Sequence, residues 1–245
     1  MPVTSILVPV WQRGAYAVRA LEAADQEPGL EILVHDNASG PYTSRALLEW
    51  RDAPSPHGNA KVYQRSSRNI GKGAAVDSLR AFASGDWIVS LDADVVLPPG
   101  GLSILRVAVE RGLCDVAATV YEGGSCMLPP WSDPASWTGL EVLPETSVAG
   151  GCFLMRRATW VALEGYRCAH VYGNDDGSFV ARASGRGLKV RYVPACVSKH
   201  LGAGDDPEYQ RRKIEHNRRI HSEPGYLVTE EAFAGLEEVL DRWGA

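Results

Sequence analysis

The apolar residues of this chain fall in short runs that alternate with segments of helical spacing. Runs rich in β-formers and bounded by turn residues predict strands, whereas apolar residues three or four positions apart predict helices. In the first half of the chain the predicted elements are strand Ser5–Val10, helix Ala15–Ala24, strand Glu31–His35, helix Ser44–Arg51, strand Lys61–Gln64, a helix that opens at the loop Arg68–Gly73 and continues to about Ser84, and strand Trp87–Leu91. This alternation predicts a parallel sheet with helices on both faces.

The regular alternation stops after about residue 115. The elements predicted beyond it are strand Val116–Tyr121, a long loop Gly123–Gly139, strand Cys152–Met155, helices Ala158–Leu163 and Asp175–Ser184, strand Lys189–Val193 and an exit segment Pro194–Gly204. Two terminal helices are expected, one begun by Asp206-Pro207 and one capped by Thr229. We therefore expect one domain over residues 1–204, with a helical extension over 205–245 packed on it.

Two carboxylates one residue apart follow directly after the apolar run Trp87–Leu91. Because residues i and i+2 of an extended chain point the same way, Asp92 and Asp94 are expected to leave the strand on one face, with Ala93 between them. Such a pair typically serves a cation or shares a proton, and its oxygen ligands suit Mg²⁺ or Mn²⁺. A turn capped by aspartate side chains produces the same pattern, so a metal site and a turn are both open alternatives.

Composition narrows the class of protein. With 245 residues, 45% apolar and 22% charged, the chain is long enough for one large α/β domain or two small ones. The net charge of −5 argues against bulk binding to nucleic acid or anionic membranes, although a local basic patch is still possible. Five scattered cysteines without Cys-x-x-Cys spacing predict reduced thiols. Neither a signal-peptide pattern nor a membrane-length apolar run of about 20 residues is found, so a cytoplasmic location is expected.

Five short segments carry a family resemblance in their residues and in their order. They are Val8–Arg13, Val34–Ser39, Arg68–Gly73, Leu91–Asp94 and Tyr172–Asp176. Together they resemble family 2-type glycosyltransferases of the GT-A fold, over about Ser5 to Gly204. The resemblance implies a Rossmann-like, mostly parallel central sheet with an Asp-x-Asp motif at a strand end. Residues 1–115 would form its nucleotide-binding half and 116–204 its acceptor and catalytic half.

The activity implied by the resemblance is metal-dependent, inverting transfer of a sugar from a nucleotide-sugar to an acceptor hydroxyl. A UDP-sugar is the expected donor, and hexosyl transfer the expected type. The donor-binding residues implied are Pro9, Val10, Arg13, Asp36, Arg68, Gly71, Lys72, Asp92, Ala93, Asp94, Gly150 and Gly151. Some of them have structural alternatives: Asp36 as an Asx-turn cap, the glycines in turns and packing, and Arg13 as a surface residue.

The resemblance also implies a metal site and a general base. Asp94 and His200, with Asp92 beside them, would hold Mn²⁺ or Mg²⁺, the alternative for His200 being a solvated loop histidine. The base falls to Asp176, with Asp175 as the second candidate, in an acidic motif followed by Arg182. Asp175 replaces the usual glutamate, and Ser178 stands where another acidic residue is common. The alternative role for both aspartates is as N-terminal helix charges.

The acceptor and some accessory features are left open. A glycan, a peptide, a small molecule and a hydroxymethylated DNA base are all candidate acceptors. Trp131 and Trp137 could stack on a sugar or pack locally, and the basic segment Arg211–Arg219 could be a lid, an acceptor-docking strip or a solvated face.

Two other classes of protein fit the same architecture. One is a nucleotidyltransferase that makes sugar nucleotides, but Val8–Gly14 lacks the glycine-rich basic loop that cradles a triphosphate. The other is a catalytically silent nucleotide-sugar-binding module, which would be expected to lose the base or a metal ligand.

Overall fold

The computed structural model describes residues 3–122, 151–167, 175–202 and Arg211. The strands within them are β1 (Thr4–Val10), β2 (Leu30–Asp36), β3 (Ala60–Arg65), β4 (Trp87–Leu91), β5 (Val95–Val96), β6 (Val116–Tyr121), β7 (Cys152–Arg156) and β8 (Val190–His200). The helices are α1 (Gly14–Ala24), α2 (Pro41–Asp52), α3 (Lys72–Leu79), α4 (Gly101–Glu110), α5 (Arg157–Ala162) and α6 (Asp175–Gly185). The predicted alternation of strands and helices in the first half is confirmed.

The strands form a mostly parallel sheet in the order β3-β2-β1-β4-β7-β6-β8-β5. Strands β1 to β4 run parallel to one another, β7 is antiparallel to both β4 and β6, and β6 and β8 are parallel. Because parallel strands end at the same edge, the loops after β1, β2, β3 and β4 gather there. In open α/β sheets this edge is where ligands bind.

The sheet is buried on both faces, as predicted. Alternate residues of a strand point to opposite sides, so Ile6 and Leu7 of β1 enter two different apolar clusters. One cluster takes in α1, α2 and α4, with the buried residues Leu21, Leu47 and Leu105. The other takes in α3, α5 and α6, with Val76, Trp160 and Phe179. A sheet covered by helices on both faces is a fixed platform for the loops at its edge.

Helix α3 ends at Leu79, so the prediction that it continues to about Ser84 is wrong. Beyond it, the Glu31 carboxylate accepts a hydrogen bond from the Ser84 N–H, and Ser5 Oγ accepts one from the Gly85 N–H at 2.8 Å. These side chains capture the amides that a longer helix would have used, and they draw the chain toward the start of β4.

Strand β8 extends to His200, so the prediction that it ends at Val193 before a loop is also wrong. Proline normally ends a strand because it lacks an N–H donor. Here the pairing with β6 shifts from Val193 to Val197, so Pro194 lies in a bulge. Thr119 Oγ1 donates to the Cys196 carbonyl at 2.7 Å and holds that bulge in place.

Strand β5, which follows the Asp-x-Asp segment directly, and helix α4, which begins at Gly101, were not predicted. The long loop Gly123–Gly139 and the extension 205–245 lie outside the described residues, apart from Arg211, which is helical and exposed. Within the described part of the chain, the helices are all too short or too polar to cross a lipid bilayer.

Candidate active site

Most of the predicted site residues lie at the edge where the parallel strands end. Pro9, Val10 and Asp36 are the last residues of β1 and β2, and Gly71 and Lys72 open α3. The segment Asp92 to Asp94 follows β4, and His200 ends β8. Gly150, Trp131 and Trp137 lie outside the described residues.

The Asp-x-Asp segment forms a tight turn between β4 and β5. The Asp92 N–H donates to the Gly151 carbonyl at 2.8 Å, and the Val95 N–H donates to the Asp92 carbonyl at 3.1 Å. A side chain could not fit at Gly151, because its Cβ would lie 1.5 Å from the Tyr121 hydroxyl. The turn gives the two carboxylates different partners: Asp92 contacts Lys72, and Asp94 contacts Arg13 and His200.

Asp94 and His200 are brought together by the backbone. Strand β5 pairs antiparallel with the end of β8, matching Val95 with His200, and the Leu201 N–H donates to the Asp94 carbonyl at 2.7 Å. As a result, His200 Nε2 lies 3.5 Å from Asp94 Oδ1. The Tyr121 ring packs edge-on against the His200 ring, with centroids 5.4 Å apart. Both side chains of the pair are partly exposed, by 27% for His200 and 21% for Asp94.

The number of ligands that Asp94 and His200 could supply can be compared with the number that a divalent metal requires. Within residues 3–122, 151–167 and 175–202, no three His, Cys, Asp or Glu side chains converge as a possible metal site. Asp94 and His200 could supply two ligands from the protein, whereas Asp92 is engaged by Lys72. Mg²⁺ and similar ions often take only one or two carboxylates from the protein and fill their other positions with water and substrate phosphates. The Asp94–His200 pair fits an ion that a substrate helps to hold.

Arg13 holds the other oxygen of Asp94. Its Nη1 lies 3.4 Å from Asp94 Oδ2, and its guanidinium packs over the Tyr16 ring, 5.2 Å from the centroid. Only 11% of the side chain is exposed, so the surface alternative for Arg13 is wrong. A Cβ at Gly202 would lie 2.8 Å from this guanidinium, so the chain after β8 closes tightly over it. Arg68, by contrast, is exposed on the loop before α3.

Lys72 bridges two carboxylates from different elements. Its Nζ lies 2.7 Å from Asp92 Oδ1 and 2.9 Å from Asp176 Oδ1, and 5.9 Å from the centroid of the Tyr166 ring. The Tyr166 hydroxyl in turn lies 3.0 Å from Ser90 Oγ and 3.5 Å from Asp176 Oδ1. The cluster joins α3, the Asp-x-Asp turn and α6 at one point.

The charges in this cluster shift one another's pKa. Burial disfavours the charged form of Lys72, but Asp176 and Asp92 outweigh burial and raise the Lys72 pKa well above its ordinary value. Burial raises the pKa of Asp92 to about 6, with Asp176 and Asp94 adding to the shift and Lys72 opposing it. Lys72 is therefore a permanent cation between two acidic groups.

Helix α6 begins with the predicted acidic motif. Asp175 is buried, with 5% of the residue exposed, whereas 31% of the Asp176 side chain is accessible. Arg182, about two turns further along, donates to the carbonyls of Gly165 and Tyr166 at 2.7 Å each and braces the segment that carries Tyr166. Of the two predicted base candidates, Asp176 is the one that a substrate can reach.

Asp36 is fully buried and caps the loop that follows it, in line with the structural alternative given for this residue. Its Oδ1 accepts the Ser39 N–H at 2.8 Å, and its Oδ2 accepts the hydroxyls of Ser44 and Tyr63 at 2.5 and 2.8 Å. Arg65 Nε lies 3.3 Å from the same oxygen. Burial opposes ionisation, but the hydrogen bonds from Ser44, Ser39 and Tyr63 outweigh it, so the pKa of Asp36 lies below its ordinary value. Asp36 thus holds its loop at the end of β2.

Asn37 ties the glycine-rich loop to the end of β2. Its Oδ1 accepts the Ile70 N–H at 2.7 Å, and its Nδ2 donates to Asn69 Oδ1 at 2.7 Å and to the Gly71 carbonyl at 3.2 Å. Gly71 has a φ of 88°, which favours glycine, and it leads directly into α3. Asn37 therefore sets where Lys72 begins the helix.

Sequence reasoning did not single out three residues that shape this site. Asn37 lies inside a recognised segment, so its position was a usable signal. Tyr121 and Tyr166 have no such signal in the sequence, because each acts only through a residue that folding brings beside it, His200 and Asp176 respectively.

The architecture is that of the GT-A glycosyltransferases. The structure of the mannosyltransferase PcManGT from Pyrobaculum calidifontis, in complex with GDP-Man and Mn²⁺, superposes with a TM-score of 0.67 at 16% identity, over 98% of this chain and 70% of its own. S. aureus TarS 1–349, in complex with UDP-GlcNAc, gives 0.62 at 14% identity, over 98% and 71%. At these identities the likeness concerns the fold.

Residues 5–158 match the sequence profile of Glycosyl transferase family 2. The chain belongs to this family. An undecaprenyl-phosphate 4-deoxy-4-formamido-L-arabinose transferase from Erwinia tasmaniensis is 30% identical over 123 residues, which cover 48% of this chain and 37% of that relative. The chain therefore aligns with well under two thirds of that curated relative's length.

Proposed function

We propose that the protein is a metal-dependent, inverting glycosyltransferase that moves a hexosyl group from a UDP-sugar to an acceptor hydroxyl. The observation that carries this proposal is the place of Asp176. Its accessible carboxylate contacts Lys72, which also contacts Asp92 of the Asp-x-Asp turn. Both carboxylates lie at the edge of the sheet where ligands bind in this architecture. A base beside a donor site is what direct transfer to a hydroxyl requires.

Asp176 acts as the general base. It accepts the proton of the acceptor hydroxyl while the hydroxyl oxygen forms a bond to the anomeric carbon of the sugar. The bond from that carbon to the diphosphate oxygen breaks, and its electron pair leaves with the nucleotide. Because this is one displacement from the face opposite the leaving group, the anomeric centre is inverted. General-base assistance of this kind contributes about 10²–10⁴-fold in rate.

Asp94 and His200 are the residues that would hold the metal, with Asp92 behind them on the Lys72 side. When bound, Mn²⁺ or Mg²⁺ supplies the positive charge that stabilises the departing diphosphate. An imidazole ligand favours Mn²⁺ over Mg²⁺, which prefers oxygen ligands throughout. Arg13 holds Asp94 Oδ2 and so directs Oδ1 toward His200.

The remaining predicted donor contacts surround this centre. Pro9 and Val10 end β1, and Asp36 ends the neighbouring strand β2. We assign binding of the nucleotide base to the ends of these two strands. The exposed Arg68, next to Gly71 at the start of α3, is assigned to the nucleotide phosphates. Ala93, Gly150 and Gly151 are assigned to the sugar side of the donor, as the resemblance implies, although the Tyr121 hydroxyl fills the space that a side chain at Gly151 would take.

A thermal-shift panel of nucleotide-sugars, each with Mn²⁺ or Mg²⁺, tests the donor assignment. A ligand at 100 times its Kd adds about 2.7 kcal/mol to the free energy of unfolding. At roughly 2–4 °C per kcal/mol for a domain of this size, Tm would rise by about 5–10 °C. We expect this rise with a UDP-sugar and Mn²⁺ and a smaller one without the metal. If none of the UDP-, GDP- or other nucleotide-sugars raises Tm, the assignment is wrong.

A further inference from the structure

The contacts of the Asp176 carboxylate are one-sided. Within the described residues, both of its polar neighbours approach Oδ1: Lys72 Nζ at 2.9 Å and the Tyr166 hydroxyl at 3.5 Å. The same ammonium group lies 2.7 Å from Asp92 Oδ1. A single cation therefore fixes one oxygen of the candidate base and one oxygen of the Asp-x-Asp turn.

We propose that Lys72 is a positioning residue for the transfer reaction. By holding Oδ1 of Asp176, it turns Oδ2 toward the acceptor hydroxyl, and by holding Asp92 it sets the distance between the base and the donor turn. This inference rests on the proposed function, because it takes Asp176 as the base. It differs from the role that the family resemblance implies for Lys72, which is contact with the donor.

The surroundings of Lys72 suit a fixed anchor. It is the first residue of α3, placed there by Gly71, and only 18% of its side chain is exposed. Its contacts with Asp92 and Asp176 are short, charge-assisted hydrogen bonds, which are stronger than neutral ones. Placement matters at such a site because an error of about 1 Å in a reacting group can cost roughly 10²-fold in rate.

Replacing the ammonium group separates positioning from donor binding. In Lys72→Met, we expect kcat for release of nucleotide from the donor, with water as acceptor, to fall about 10²-fold. The donor KM and the Kd of UDP with Mn²⁺ should stay within about twofold of wild type. Lys72→Arg keeps the charge with a different shape and should recover part of kcat.

The matched control is Lys61→Met. Like Lys72, Lys61 has its ammonium group beside an aromatic ring, that of Trp50, but it donates to the backbone carbonyls of Trp50 and Ala53 and lies on β3 away from the cluster. We expect this variant to keep the wild-type kcat. If Lys72→Met lowers Tm far more than Lys61→Met does, Lys72→Gln, which keeps a polar side chain of similar reach, takes its place.

A double-mutant cycle tests whether Lys72 acts through Asp176. If it does, Lys72→Met adds nothing to the loss already caused by Asp176→Asn, and the two changes are strongly non-additive. Independent losses that multiply would overturn the proposal. So would a wild-type kcat in Lys72→Met, or a raised donor KM with kcat unchanged, which would make Lys72 a donor contact.

Failure of the proposed function has a different signature. In that case the wild type itself releases no nucleotide from any nucleotide-sugar, or Asp176→Asn releases it at the wild-type rate. The first result removes the reaction in which Lys72 would act, and the second removes the base it would position, so either one also overturns the role of Lys72.

Discussion

His200 Nε2 lies 3.5 Å from Asp94 Oδ1, although β7 and β6 separate β4 from β8 in the sheet. The contact depends on β5, which begins one residue after Asp94 and pairs antiparallel with the end of β8. The turn that carries Asp94 therefore leads directly into β5, and β5 pairs with β8, the strand that carries His200. Backbone pairing, rather than packing of the two side chains alone, sets the distance between them.

Removing either side chain of this pair should weaken metal-dependent nucleotide binding. Changes in residues that only support a metal ligand typically cost about 10–100-fold in metal affinity, so loss of a ligand should cost at least about tenfold. We expect this loss for UDP with Mn²⁺ in Asp94→Asn and in His200→Ala, measured by calorimetric titration. Asp52→Asn, which removes an exposed carboxylate paired with Arg51, is the control and should bind normally. Wild-type affinity in both site variants would rule out the pair as metal ligands.

Gly151→Ala should disturb the Asp-x-Asp turn. The new Cβ would lie 1.5 Å from Oη of Tyr121, and the backbone that accepts the Asp92 N–H would have to move. Overpacking of this kind costs about 1–3 kcal/mol, and we expect a lower Tm together with weaker binding of UDP and Mn²⁺.

Two further variants check the cause. Gly185→Ala meets nothing within 4 Å and should leave Tm close to wild type. Tyr121→Phe removes the nearest clashing atom, so in the Gly151→Ala background it should recover part of the lost stability. A Gly151→Ala protein as stable as wild type would show that the turn does not depend on this close approach.

The parallel half of the fold was predictable because each of its central strands is a nearly unbroken apolar run with a helix after it. The departures come from partners that are distant in the chain. Strand β8 passes Pro194 only because its pairing with β6 shifts at that point. After α3 ends at Leu79 the chain forms a turn, and Glu31 accepts the N–H groups of Ser84 and Gly85 beyond it. Neither partner can be identified from the local pattern.

The candidate site, like the fold, was predictable only in part. The carboxylates and the histidine could be named in advance because strand ends meet at one edge and because the motifs resemble a family. Their pairing could not, since Lys72 meets Asp92 and Asp176 only when α3, β4 and α6 have packed together. The capping of its own loop by Asp36 could be foreseen as an alternative because its hydrogen bond to Ser39 is local.

Stability should depend on His35 below about pH 6.5. The residue is 1% exposed, with Nδ1 2.7 Å from Ser78 Oγ and Nε2 buried without a hydrogen-bond partner in the described structure. Burial lowers the pKa of His35, against the opposing charge of Asp36. The unfolded chain, with a histidine pKa near 6.5, therefore binds the proton first as the pH falls, and stability is lost from about pH 6.5 downward.

Unfolding curves from pH 7.5 to 5 measure this loss. His35→Asn, which keeps a nitrogen near Ser78 but cannot be protonated, should lose less stability over this range than wild type. His57→Asn replaces an exposed histidine and should follow the wild-type curve. An equally steep loss in His35→Asn would assign the acid sensitivity to other groups.

The most direct test of the account compares donor binding and turnover in Asp176→Asn. This variant keeps the size of the side chain but removes the base. We predict that its Tm still rises with the nucleotide-sugar and Mn²⁺, whereas nucleotide release falls by at least about 10²-fold. Asp86→Asn, at an exposed position before β4, should match wild type in both measurements. Turnover at the wild-type rate in Asp176→Asn would contradict the central claim that Asp176 takes the acceptor proton.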